Sequence, residues 1–276
     1  MRYITIFVLA IVLAAGCQKT QVAERTKLTD AETHEVFKSE RLGEELYLQD
    51  VTAARASRML IQTVGPIPPG VLSGWIVVKD GAKTLTRFIK KTGEDINVMY
   101  DVRIDFKGDG IVTKDNLKPL SKTELAMFRA RQNAMHVAPG DCTRAYNTAV
   151  IEDIESNGWL VYLLAATNKN TIMVGGHTRV SVSPDGNNVT AVTRLYDSCL
   201  AIPLPADTNN TGRYALNLGY QAADVPSEIH VYLNRIYGYV INVNTARGLW
   251  QVRNGNIYLV RPAENTGQTG KAENKK

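Results

Sequence analysis

Trp159-Leu160-Val161-Tyr162-Leu163-Leu164-Ala165-Ala166 is the stretch that decides the fold. It is a short apolar run of strand-favouring residues, and similar runs surround it. They are Tyr146 to Ile151, Thr171 to Ser183 and Val189 to Tyr196, with Pro184-Asp185-Gly186 as a turn signal between the last two. Further runs follow at Ile229 to Ile236, Tyr239 to Val243, Leu249 to Val252 and Ile257 to Val260, with Arg253-Asn254-Gly255 as the turn before the last. The back half of the chain therefore reads as nearly all β. Pro203 to Pro226 interrupts it as a long loop-rich segment, and loops of that length often carry function.

Cysteines frame the first four runs. Cys142 stands just before Tyr146 and Cys199 just after Tyr196. If Cys17 is used elsewhere, an exported chain is left with two cysteines, which suggests one disulfide. That bridge would tie the ends of a four-stranded meander. It closes a loop of 57 positions, worth on the order of 4 kcal/mol in the chain-entropy picture.

Working outward toward the start, Ser121-Lys122-Thr123-Glu124 is a capping box flanked by Leu120 and Leu125. It predicts a helix to about Val137, with Leu125, Phe128 and Met135 inward and Pro139-Gly140 as its stop. Before it lie strand runs at Trp75 to Val78, Thr84 to Ile89 and Ile96 to Phe106, the first two joined by a Lys79-Asp80-Gly81 turn. Thr29-Asp30-Ala31-Glu32 is another capping box. It opens a helical segment through about Ile61, bent or divided at Gly43, with Val36, Phe37, Leu46, Val51, Ala54 and Met59 on its apolar face.

The first residues carry an address. Arg2 precedes an apolar run from Ile4 to Val12, and Leu13-Ala14-Ala15-Gly16-Cys17 closes it. A basic start, a short apolar stretch and small residues at the end form a secretory signal. The stretch is too short for a permanent membrane span. Leu-Ala-Ala-Gly before Cys17 resembles the lipobox of bacterial lipoproteins, which are cut before that cysteine and lipidated on it. The other reading is an ordinary signal peptide with an incidental cysteine. Gln18 stands where inner-membrane lipoproteins usually carry Asp, so the resemblance implies the outer membrane, facing the periplasm. The general layout is similar to that of uncharacterised proteobacterial envelope lipoproteins, and this implies an address and no activity.

Composition is that of a folded chain: 276 residues, 44% hydrophobic and 21% charged, with a formal charge of +5. Removal of Arg2 with the signal lowers +5 by one, to +4. The basic residues are scattered, and Lys90-Lys91 and Arg129-Ala130-Arg131 are short, so nucleic-acid binding is not expected.

Candidate chemistry is sparse. His34, His136, His177 and His230 show no metal-ligand spacing. His34-Glu35-Val36-Phe37-Lys38 begins like a zinc-protease helix, but Lys38 occupies the second ligand position. Asp105 to Gly110 echoes a calcium loop, yet Lys107 sits at a ligand position and Asn116 falls where a bidentate Glu is required. Ser73 in Gly70-Val71-Leu72-Ser73-Gly74 is misplaced for a nucleophile elbow and precedes a strand. Gly175-Gly176-His177-Thr178-Arg179 is the one candidate ligand site. Its glycines allow close backbone approach, and His177 and Arg179 would share a strand face suited to a carboxylate or phosphate. A bulge holding a hydrogen-bonded histidine is the plainer reading. Tyr214, Tyr220, Tyr232, Tyr237, Tyr239, Trp250 and Tyr258 crowd the last third as core or binding residues.

The expected fold class is α+β, with an N-terminal helix, hairpin and helix layer before an antiparallel β-rich domain held by Cys142–Cys199. The expected division is signal 1–16, lipidated tether 17–28, N-terminal domain 29–137, β domain 138–262 and disordered tail 263–276. No catalytic set, metal or cofactor is expected. The expected function is a non-enzymatic binding module for a protein or peptidoglycan-type envelope partner, of which an inhibitor or immunity lipoprotein is one version. The alternatives are a cell-wall or peptide hydrolase around His177, or a structural envelope lipoprotein.

Overall fold

The computed structural model describes residues 28–81, 83–105, 107–138, 140–166, 170–204 and 214–262. The signal, Cys17, the tether to residue 27, Pro139 and the tail from 263 lie outside the described residues.

Helix α1, Asp30–Val64, runs unbroken for 35 residues. Both capping-box bonds form: the Glu32 amide donates to Thr29 Oγ1 and the Thr29 amide to Glu32 Oε2. Gly43 does not bend or divide it. A Cβ there would lie 2.4 Å from Val231 Cβ, so the glycine serves a close helix–helix approach instead. The inward face also differs from the expected one. Phe37 is 67% exposed and Ala54 is exposed, whereas Leu42, Ala53, Ala56 and Leu60 are buried with Val36 and Leu46. The helix faces different neighbours along its length, so one regular stripe does not describe it.

Strands β1 (Gly74–Asp80), β2 (Lys83–Thr92), β3 (Asp95–Ile104) and β4 (Gly110–Pro119) form an antiparallel sheet in the order β1-β2-β3-β4. Strand β4 was not expected; its sequence is polar and it lies at the edge, where charged residues are common. The Asp105 carboxylate accepts the amides of Lys107 and Asp109, so the calcium-like segment is a turn. Helix α2, Lys122–Val137, follows with both bonds of its Ser121 capping box. Phe128 points inward as expected, but Met135 is 46% exposed. Ala126, Met127, Ala130, Arg131 and Ala134 make the buried face.

Strands β5 (Tyr146–Asp153), β6 (Gly158–Ala165), β8 (Thr178–Val182) and β9 (Val189–Arg194) form a second antiparallel sheet, β5-β6-β8-β9. The run expected from Thr171 to Ser183 is split. Strand β7 (Thr171–Met173) leaves to pair with β10 (Ala201–Pro203). Glycines make the break: a Cβ on Gly175 would fall 1.7 Å from the Ser198 carbonyl, and Gly176 has φ +82. The Cys142–Cys199 disulfide is formed, with Cα atoms 5.3 Å apart, and joins the two ends of this sheet.

The last unit holds β11 (Ala215–Gly219), α3 (Glu228–Tyr237), β12 (Val240–Thr245), β13 (Gly248–Arg253) and β14 (Asn256–Pro262), in sheet order β11-β12-β13-β14. Ile229 to Ile236 is therefore helix, not strand. Ser227 caps its start and Gly238, in the left-handed region, ends it. Ile229, Tyr232, Leu233 and Ile236 keep a helical spacing, but the segment is a short apolar run rich in β-branched and aromatic residues, which reads equally well as a strand. Strand β11 lies in the segment expected to be loop, and it pairs parallel to β12 with α3 as the crossover. The sheet is thus antiparallel except at that edge.

A helix followed by an antiparallel set of strands occurs three times along the chain. The largest core cluster gathers Val36, Leu42 and Leu46 of α1 with α3, the last sheet and one face of β6. A second joins α2 to β1, β2, β5, β6 and β8. A third and smaller cluster sets Ala56 and Leu60 against Phe88, Tyr100, Val102 and Ile104. No helix of the described residues is long and apolar enough to cross a membrane.

Candidate ligand cleft

Sequence paired His177 with Arg179; the structure separates their roles. His177 lies just before β8 and is buried. Its Nδ1 accepts the Ala165 amide at 3.1 Å, and its Nε2 lies 2.8 Å from the Met173 carbonyl. The first bond makes Nδ1 the acceptor, so Nε2 carries the proton and donates. Burial holds the imidazole pKa down to about 4, partly countered by the Met173 bond. His177 is therefore a neutral clasp between the end of β6 and the end of β7, with both ring nitrogens committed to backbone.

Arg179 belongs to a different group. On β8 it stands opposite Tyr162 of β6. Its Nη1 donates to Glu228 Oε1 at 2.6 Å, and the Tyr162 hydroxyl donates to the same oxygen at 3.0 Å. Glu228 is the first residue of α3 and is 4% exposed. Burial works against the Arg179 charge, but the Glu228 carboxylate more than reverses this and raises its pKa. Burial and the same carboxylate push the Tyr162 phenol well up. These residues weld the second sheet to α3 by a charge-assisted bond.

Arg179 and Glu228 also line a cleft of about 440 Å³. One wall is the start of α1, with Glu32, Glu35 and Ser39. Another is β8 and β9, with Arg179, Thr193 and Arg194. The third is the segment leading into α3, with Tyr220, Asp224 and Ser227. Besides the closed Arg179–Glu228 pair, two of these groups already have ionic partners: Glu32 with Arg247, and Arg194 with Asp141. His177 is not among the lining residues. A cleft of this size, with a few convergent polar groups, suits a small ligand.

His230 lies behind the cleft. Its Nδ1 accepts the Ser227 amide at 3.1 Å, and Ser227 Oγ is also 3.1 Å away. Because the single Nδ1 lone pair already receives a backbone donor, it is poorly placed to take a proton from the serine. Burial holds its pKa down to about 4 as well. Asp141, Cys142 and Cys199 are close together, but the sulfurs are spent in the disulfide and Asp141 pairs with Arg194.

Of the aromatic cluster, Tyr220, Tyr232, Tyr239 and Trp250 are buried. Only Tyr220 among these lines the cleft. Sequence reasoning missed Glu35, Ser39, Ser227 and Glu228. The signal that pointed nearest was the Pro203 to Pro226 segment, whose later residues Ala222 to Val225 form part of the wall.

The chain matches no family model and no curated protein. Among solved structures it is similar to the Bacillus megaterium YpeB C-terminal domain at 11% identity, with a TM-score of 0.18. The match covers 52% of this chain and 64% of that one, so the chain spans a little under two thirds of that neighbour's length.

Proposed function

We propose that this protein is a non-enzymatic binding module of the bacterial envelope, held by lipid on Cys17 at the periplasmic face of the outer membrane. The cleft between α1, β8–β9 and the start of α3 is the observation that supports binding. The address rests on the Leu-Ala-Ala-Gly-Cys17 pattern and on Gln18. The partner is an envelope protein or a peptidoglycan component. From Cys17 to Leu28 the chain reaches at most roughly 40 Å when extended. Since Ala31 and Glu32 line the cleft, such an anchor would keep it near the membrane. A hydrolase around His177 finds no support in the geometry, because both ring nitrogens serve the backbone.

Crosslinking in cells followed by affinity capture and mass spectrometry tests this reading, with Cys17→Ser as control. The expected result is one dominant envelope partner, or peptidoglycan fragments, captured with the lipidated protein and reduced with the control. Capture of neither, together with no lipid on Cys17, would overturn it.

A further inference from the structure

We infer that the cleft takes a small zwitterion of the amino-acid or dipeptide class, its ammonium toward Glu35 and Asp224 and its carboxylate toward Arg179. This deepens the binding-module reading and rests on it.

Charge pairing in the cleft supports the inference. Four carboxylates and two guanidiniums line it. Glu32 is engaged by Arg247, Glu228 by Arg179, and Arg194 by Asp141. Glu35, on α1, and Asp224, on the segment before α3, have no side-chain partner among the described residues. They leave negative charge on two walls of one cavity. A simple anion would be repelled by them. A simple cation would satisfy them and leave Arg179 unused. Arg179 has five N–H donors and gives one to Glu228. That bond fixes the guanidinium plane, which pre-organises its remaining donors for a carboxylate.

Ser39 is the independent sign of a ligand. It lies one helical turn beyond Glu35 and lines the cleft while only 7% exposed. Its hydroxyl makes no hydrogen bond with any described residue. Helix serines commonly bond back to the carbonyl four residues earlier, as Ser57 does to Ala53. A nearly buried hydroxyl left open toward a cavity is a group waiting for a polar partner. A ligand with an amine and a carboxylate a few bonds apart would meet Glu35, Ser39 and Arg179 together.

Calorimetric titration of the lipidated protein in detergent with alanyl-alanine tests the proposal. N-acetyl-alanyl-alanine and alanyl-alanine amide are the comparison probes. Saturable binding of the free dipeptide is expected, weakened at least tenfold by either blocking group. Glu35→Gln should weaken the free dipeptide and leave the N-acetyl form unchanged. Because Glu35 is exposed, this variant keeps its fold, which circular dichroism verifies. Ser39→Met should fill the cavity and abolish binding. Equal binding of free and N-acetylated dipeptide would overturn the proposal. So would no binding of the dipeptide by a protein that still captures an envelope partner in cells, an outcome that leaves the binding-module reading standing. Loss of both capture and dipeptide binding would sink the two together.

Discussion

The two ends of α1 border two different openings. At its start, Glu32, Glu35 and Ser39 face a polar cleft of about 440 Å³ shared with β8, β9 and the approach to α3. Toward its end, Ser57, Leu60 and Ile61 face an apolar groove of about 310 Å³ closed by Pro68, Pro69, Leu72 and Trp75. Behind the first lies the largest core cluster; behind the second lies the smallest. One continuous helix thus presents ion-pairing groups backed by a thick core at one end, and packing groups backed by a thin core at the other. The difference teaches that the cleft's polar groups stand where the scaffold is best braced, which is what precise positioning of such groups requires.

Acidification should break the cleft side most. His230 lies behind the cleft in α3 and His177 just before β8, which supplies one cleft wall, and each has a pKa near 4 in the fold against an ordinary 6.5. Between those values the unfolded chain binds more protons, so stability is full above pH 6.5 and is lost as pH falls toward 4. The loss is on the order of 3 kcal/mol for each histidine. Denaturant melts followed across that range measure it, and Val182→Ile-type neutral changes are not expected to alter the slope. Replacing His177 by Gln should flatten the pH profile while lowering stability at neutral pH.

Removal of the disulfide comes next. Cys142→Ser with Cys199→Ser frees both ends of the sheet that supplies Arg179, Thr193 and Arg194 to the cleft. The expected cost is about 4 kcal/mol, seen as a lower thermal midpoint and as faster amide exchange in β5, β6, β8 and β9 than in β1–β4.

Leu60→Ala sharpens the comparison from the other end. Leu60 is buried in the small cluster, and its truncation should cost about 3 kcal/mol. Amide exchange should rise in the first sheet, and dipeptide binding should stay as it was. Gly43→Ala should cost less, about 2 kcal/mol, yet reach the cleft. Its methyl would lie 2.7 Å from the Glu228 carbonyl, so α3 must shift and carry Ser227 and Glu228 with it. Weaker dipeptide binding measured beside a modest change in stability would show this coupling.

Much of the scaffold was legible in the chain because its signals are local. Both capping boxes, the Lys79-Asp80-Gly81 turn, the strand runs around Trp159 and the cysteine pair act over a few residues or through simple counting. Helix α3 was hidden because its short apolar run mixes β-branched and aromatic residues that read equally well as a strand, even though Ile229, Tyr232, Leu233 and Ile236 keep a helical spacing and Ser227 and Gly238 mark its ends. Strand β11 was hidden because it is short and inside a long irregular segment, though Leu216 and Leu218 alternate inward. The cleft was legible only in fragments. Arg179 and Glu228 are 49 positions apart, and α1 is brought to them by packing at Gly43. No local spacing records such a meeting. His177 drew notice as the residue beside two glycines, and those glycines instead accommodate Ser198 and Cys142.

Site-specific photocrosslinking is the most direct test of the binding account. A photoreactive residue is placed at Ala222 on the wall of the polar cleft or at Ile61 in the apolar groove, in lipidated protein inside living cells. The account predicts a discrete envelope adduct from position 222, competed by excess alanyl-alanine in spheroplasts, and none from position 61. An adduct from position 61 alone would contradict it, and an adduct from position 222 that the dipeptide does not diminish would contradict the dipeptide reading of the cleft.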